Sequence, residues 1–220
     1  MNARVDLYKG KLRHLGKTLK YSLYVILHPF DGFWDLIHEK RGSLGAATVI
    51  LIMFVLTQIW TWTYSAFPFY FPQWEYFNLF MRILPSVVLF FVWCIANWSL
   101  TTLMDGKGRL SHIYMATAYA LTPYILIRIP LIFITYIISY DEITYYNVFE
   151  SLSIIWCVFL VLAAMMMIHD YTFGKAIFSS LLTIVAMMVI IFLIVMFFSL
   201  ITQSFGYFIA LYKEATFRLF

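Results

Sequence analysis

The sequence predicts an all-α polytopic membrane protein. The expected architecture is a five-transmembrane-helix bundle, N-terminus in and C-terminus out, with cytoplasmic interfacial helices before the first span. Three observations predict it. Apolar residues make up 63% of the 220 and charged residues only 12%, whereas a soluble domain is nearer half apolar and a quarter charged. Mean hydropathy is +0.85. Several apolar runs exceed the roughly 20 helical residues that cross a ~30 Å hydrocarbon core. A transmembrane barrel is excluded, because its strands would alternate apolar and polar residues and these runs do not.

The spans fall at about 45–65, 83–104, 112–139, 148–168 and 176–201. Residues 1–44 form a basic cytoplasmic and interfacial segment, and 45–220 the membrane domain. Orientation follows from the basic residues in the flanks. Eight precede the first span: Arg4, Lys9, Lys11, Arg13, Lys17, Lys20, Lys40 and Arg41. Lys107, Arg109 and Lys175 add to the same side, against Arg82, Lys213 and Arg218 on the other. The N-terminus is therefore expected in the cytoplasm. No cleavable signal peptide is evident, since the first apolar run is long enough to span.

Ahead of the first span, "HPFDGFWDLIHEKRGS" places Phe30, Phe33, Trp34 and Ile37 at helical spacing, opposite Asp31, Asp35, Glu39 and Lys40. Asp31 is the expected N-cap and Gly42 the expected stop. Such a helix would lie flat on the inner leaflet. Further upstream, Leu12, Leu15, Leu19, Leu23 and Ile26 also recur at helical spacing. That basic stretch reads first as a solvated positive-inside flank, and second as a surface for a partner protein or lipid headgroups. After the first span, "FPFYFPQWEYFNLF" carries eight aromatics in fourteen residues and reads as an outer aromatic belt. Past Gln203 a frayed or interfacial extension is expected, because Gly206 weakens a continuing helix.

The second and third spans with their loop read "WSLTTLMDGKGRLSHIYMATAYALTPYILIRIP". Asp105, Gly106, Lys107 and Gly108 make a tight polar turn, the glycines being expected in left-handed conformations. Ser111 stands where an N-cap belongs. The order of these features resembles the Ypt/Rab-interacting-protein family, the YIP family. They are the "GKG" turn, a helix start of small and aromatic residues, "AYALTP" with Tyr119 and Pro123, and the "HP" of His28 and Pro29. The similarity runs from about Ile26 to Ile201.

The resemblance implies an N-in, C-out bundle of five helices. It also implies, by analogy with eukaryotic members, binding of prenylated Rab-type GTPases and a role in vesicle traffic. This sequence departs from those members in lacking their long polar N-terminal domain and a "DLYGP"-like string before the first span. The compact form looks like the bacterial branch, which would place it in a plasma membrane. The expected partners are membrane lipids and another membrane protein or complex, with no nucleic acid.

An internal echo accompanies the motif. The turn before span three, "DGKGRLSHI", compares with "HDYTFGKAI" before span five, which includes Asp170. Duplication and coincidence both account for it. Arg128 is sixteen residues past His112, about 24 Å along a helix. A charge there costs from ~2.5 to above 10 kcal/mol unless it points into the bundle or snorkels. Pro123 and Pro130 each delete a backbone donor and free a carbonyl, and Arg128 is expected to help satisfy what they expose. Glu150 is the expected acidic partner. An anion site for a small permease or lipid-translocating protein, and a gating charge, stand as alternatives for Arg128.

Asn97 is expected to make an interhelical hydrogen bond. Its "NWS" glycosylation pattern lies inside a span. Cys94 and Cys157 read as buried small hydrophobes. The histidines at 14, 28, 38, 112 and 169 all fall on the cytoplasmic side. His112 and His169, with Asp105 and Asp170, flank the two turns, where polar residues need no metal. No nucleotide loop, nucleophile elbow or H-E-x-x-H occurs. Neither catalysis nor a cofactor is expected, and the predicted role is a membrane scaffold or adaptor.

Overall fold

The computed structural model describes residues 2–66, 79–104 and 106–219. Eight α-helices follow in order: α1 (Asn2–Leu27), α2 (Pro29–His38), α3 (Leu44–Tyr64), α4 (Leu79–Leu103), α5 (Leu110–Ala120), α6 (Thr122–Ile134), α7 (Ile143–His169) and α8 (Phe173–Leu219). A short 3-10 turn, Tyr140–Glu142, precedes α7. Among the described residues there is no strand. Five stretches are long and apolar enough to cross a membrane, with α5 and α6 together forming the third. The five-span bundle predicted from hydropathy is the observed architecture. Most of the aromatic stretch after the first span lies outside the described residues.

The interior is built around the third and fourth spans. Ala116, Ala118, Ala120, Ala163 and Ala164 are buried there, with Ala46 and Ala47 of α3 facing them. Small side chains let helix backbones approach closely, which drives association where lipid is as apolar as leucine. α3 packs on α5 and α6, α7 packs on α5, α6 and α2, and α4 pairs with α8 at the periphery. Of the most apolar window in each span, 61% is buried in α5–α6 and 0% in α8.

The N-terminal pair departs from expectation. α1 docks on the bundle instead of standing as a solvated flank. Its buried seam is Thr18, Ser22 and Val25, while Leu23 is exposed. Thr18 Oγ1 lies 3.2 Å from Ser43 Oγ, the N-cap of α3, which also accepts the Ala46 amide at 3.1 Å. α2 begins at Pro29, not after Asp31. Proline at the first turn has no donor to waste, and Asp31 in that turn suits the helix dipole. Phe33 and Leu36 are buried, and α2 packs on α7. Tyr21 donates to the Gly32 carbonyl at 3.0 Å. Burial, aided by the Asp35 carboxylate, raises the pKa of that phenol and keeps it a donor. Gly42 is not the helix stop. α2 ends at His38 and Lys40 takes the left-handed turn at φ 53°.

Four boundaries also differ. α5 starts at Leu110 with Arg109 at the cap position, so Ser111 is inside the helix. The third span ends at Ile134, not 139, and the fourth starts at Ile143, not 148. α8 runs through Gly206 to Leu219 as one helix of 47 residues. The glycine's propensity cost of about 1 kcal/mol is outweighed where apolar side chains on both sides sustain the helix.

Candidate functional site

Two polar clusters occupy opposite ends of the bundle. The first lies at the end carrying α1, α2 and the turns α4–α5 and α7–α8, here termed the turn end. His169, the last residue of α7, is almost fully buried. Its Nδ1 accepts the Gly108 amide at 3.2 Å, so the proton sits on Nε2, which faces Asn97 Oδ1 at 3.3 Å. Asn97 Nδ2 in turn donates to Thr183 Oγ1 at 3.2 Å, and Thr183 donates to the Ser179 carbonyl at 2.8 Å. One directed chain of hydrogen bonds thus links the α4–α5 turn, α7, α4 and α8. The neutral imidazole tautomer is fixed by its neighbours.

The glycines of the turn serve this chain by being small. A Cβ on Gly108 would lie 2.5 Å from His169 Cε1 and 2.5 Å from Ile168 Cγ2. One on Gly106 would lie 2.7 Å from His169 Nδ1. Neither has positive φ, so the expected left-handed conformations are not their reason. Outside, Lys107 Nζ pairs with Asp170 Oδ2 at 2.8 Å, clasping the two turns together. Asp170 itself takes the left-handed position after α7, at φ 53° and ψ 41°. Tyr171 and Lys175 both donate to the Met104 carbonyl, at 3.1 and 3.4 Å. Asp105 lies outside the described residues.

At the far end, Arg128 of α6 is buried at 7% exposure. Its Nη2 bonds Glu150 Oε1 and its Nη1 donates to the Tyr146 hydroxyl at 3.0 Å. The guanidinium also lies 5.2 Å from the centre of the Tyr124 ring. Tyr124 and Arg128 are one turn apart on α6, as Tyr146 and Glu150 are on α7, so two i, i+4 pairs face each other.

Contrary to expectation, the Arg128 hydrogen bonds go to Tyr146 and Glu150 and not to the carbonyls freed by the prolines. α5 ends and α6 begins at Leu121, and Pro123 lies in the first turn of α6. The Tyr119 carbonyl that Pro123 cannot cap accepts the Thr122 hydroxyl at 2.7 Å and the Leu121 amide. Pro130 stays inside α6. Tyr119, fully buried, donates its hydroxyl to the Thr18 carbonyl of α1 at 3.2 Å.

Sequence reasoning singled out Arg128, Glu150 and Asn97 but missed Tyr146, Thr183 and Thr18. Tyr146 carried a usable signal, its place one turn before Glu150. Thr183 and Thr18 carried none, because a threonine in a span normally bonds its own helix. Chemically, both His169 ring nitrogens are occupied by structural hydrogen bonds, and no nucleophile is bonded to them among the described residues. No three His, Cys, Asp or Glu side chains are grouped to hold a metal among the described residues. Arg128 is neutralised where it stands.

The family model of the Yip1 domain covers residues 23–196. No curated protein and no solved structure matches the chain. The matched region takes in α2 through the first half of α8, and with them the His28–Pro29 turn, the Gly106–Gly108 turn and the α5–α6 break. With well over half of its length matched, this chain belongs to the Yip1 domain family of multi-pass integral membrane proteins.

Proposed function

We propose that the protein is a non-catalytic membrane scaffold or adaptor that binds another membrane protein through α8. One observation carries this. At 47 residues α8 is about 70 Å long, more than twice the ~30 Å hydrocarbon core. None of its most apolar window is buried within the chain. Phe205, Tyr207, Phe208, Ile209 and Tyr212 are all more than half exposed, along a helix too long to be covered by one bilayer. A helix with this much uncovered apolar surface suits a neighbour that extends it into an assembly.

The basic flank supports an orientation with α1, α2 and both turns in the cytoplasm and the C-terminus outside. A Rab-type GTPase partner stands on family analogy alone. The rival reading, a permease with an anion site at Arg128, gains no support from a guanidinium already paired with Glu150. Site-specific photocross-linking in native membranes tests the proposal. A cross-linker at Phe205 or Phe208 is expected to yield one stoichiometric protein adduct that survives gentle solubilisation. Adducts with lipid alone from every α8 position would overturn it.

A further inference from the structure

Between α4, the α5–α6 break, α7 and α8 lies a cavity of about 580 Å³. That is within the roughly 300–1,000 Å³ of sites that enclose small molecules. Its wall is almost entirely carbon, contributed by residues such as Phe90, Leu121, Cys157 and Val161. Its mouth is lateral, between α7 and α8, where Ile154, Val158, Leu181 and Ile184 are about half exposed. Entry is therefore from the bilayer and not from water.

Of the side chains with polar atoms that line this mostly apolar space, three on different helices stand out: Trp93 of α4, Thr117 of α5 and Ser180 of α8. Trp93 Nε1, Thr117 Oγ1 and Ser180 Oγ are buried and have no hydrogen-bond partner among the described residues. Thr117 and Ser180 are 5% and 8% exposed. Thr117 has the Cys94 thiol beside it, a weak partner. Ser179, next to Ser180 but outside the cavity lining, is also unpaired among the described residues, whereas several threonines of the spans are satisfied. The hydroxyls of Thr57, Thr101 and Thr183 each donate to the carbonyl four residues back. A buried polar group left unpaired is costly, and a bilayer core holds no water to relieve it.

The three groups are not scattered along the cavity. Counting 1.5 Å per residue from the turn end, Thr117 and Ser180 lie at a depth of about 10 Å and Trp93 at about 15 Å. The cavity continues past them to Tyr124, Ile154 and Ser86, at about 20 to 25 Å. Its unpaired donors are thus at one end, and beyond them the wall is carbon apart from Tyr124 and Ser86. An indole N–H can only donate and two hydroxyls can, so the group they suit is an acceptor with an apolar tail. A partner helix brings no free acceptor, because its carbonyls are already bonded within it.

We infer that this cavity holds one acyl chain of a glycerolipid from the leaflet at the turn end, with its ester oxygens accepting from Trp93, Thr117 and Ser180. A resident lipid of this kind is independent of any protein bound to α8. It would fill the gap that separates the α4–α8 pair from the remaining helices.

The test is photolabelling of the full chain in vesicles of phosphatidylethanolamine and phosphatidylglycerol that carry a diazirine on one acyl chain. Labelled positions are mapped by mass spectrometry. Labelling is expected at Leu121, Cys157 and Trp93, in excess over Ile155 and Phe178, which lie outside the cavity lining on α7 and α8. Val158→Trp, which fills the mouth, should remove the cavity labels and spare the outer ones. Ile184→Trp, on the opposite wall, provides the same readout should the first variant fail to fold. Ser180→Ala is expected to weaken lipid retention through detergent washing roughly fivefold, the equivalent of about 1 kcal/mol. Equal labelling of cavity and outer positions would reduce the site to ordinary boundary lipid. Unlabelled cavity positions in the unmodified chain would mean that a protein segment or nothing occupies it. Either result, or cavity labels that persist in a folded filling variant, overturns the inference.

Discussion

His169 and Asn97, 72 residues apart in the chain, meet with Nε2 and Oδ1 3.3 Å apart in the bundle interior. Asn97 is the middle of a chain with a donor on one side and an acceptor on the other, so truncating it orphans both. Asn97→Leu is expected to leave His169 Nε2–H and Thr183 Oγ1 without their partner, at about 1–3 kcal/mol for each group stranded. Thermal unfolding in detergent should show a lowered midpoint. A double-mutant cycle of Asn97→Leu with Thr183→Val should be non-additive, since the two act through one network. Additive losses would show that the chain is not coupled.

The glycines of the turn give a sharper contrast. Gly108→Ala puts a methyl 2.5 Å from His169 and Ile168, both fixed in the interior. Gly174→Ala puts one where nothing lies within 4 Å, on a helix. The first is expected to destabilise by about 1–3 kcal/mol, as overpacking does. The second should be neutral or stabilising by about 0.5–1 kcal/mol, because alanine loses less backbone freedom in a helix than glycine. Unfolding midpoints of the two single variants decide it. Equal effects would mean the turn has room that the structure denies.

Arg128 and Glu150 make a pair buried on the arginine's side only, the Glu150 side chain being 32% exposed. Arg128→Met strands a partly solvated carboxylate and should cost about 1–3 kcal/mol, whereas removing both charges in Arg128→Met with Glu150→Leu should cost less. Tyr146→Phe removes one hydrogen bond to a charged group, about 1.5–3 kcal/mol. The charge exchange Arg128→Glu with Glu150→Arg should recover part of the expression lost in each single variant. A double variant no better than its singles would remove the pair from the account of stability.

How much of this was legible depends on how loudly a residue breaks its local rule. Arg128 and Glu150 stand out because a charge in an apolar run has few tolerable fates. The five spans stand out for the same reason in reverse, as long runs without charge. α1 was half legible: Leu15, Leu19 and Ile26 of the expected stripe pack against the core, but Thr18 and Ser22 complete the seam, and a threonine or serine counts as polar in any periodicity. His169 could be placed beside a turn but not assigned its contacts, which come from residues 61 and 72 positions away. The turn glycines were legible as necessary, yet for the wrong reason. Close approach to a distant side chain leaves no mark in the sequence that separates it from a left-handed turn. The length of α8 was hidden by Gly206, whose local cost says nothing of the apolar residues around it.

The last third of α8 supplies a prediction that separates folding from assembly. The side chains there hold to their own helix. Thr202, Ser204 and Thr216 donate to carbonyls four residues back, and Gln203 donates to Ser199. Among the described residues, no buried side chain of the bundle core comes from beyond Thr183. Ending the chain after Gln203 still leaves about 31 residues of α8, more than the roughly 20 needed to span. The shortened protein is therefore expected to insert, to keep its unfolding midpoint and to retain its lipid label. It should lose the stoichiometric protein partner in a gentle-detergent pull-down and migrate as a smaller particle. A shortened chain that unfolds would place the missing segment in the fold. One that keeps the same protein partner would move the docking surface to the first half of the helix.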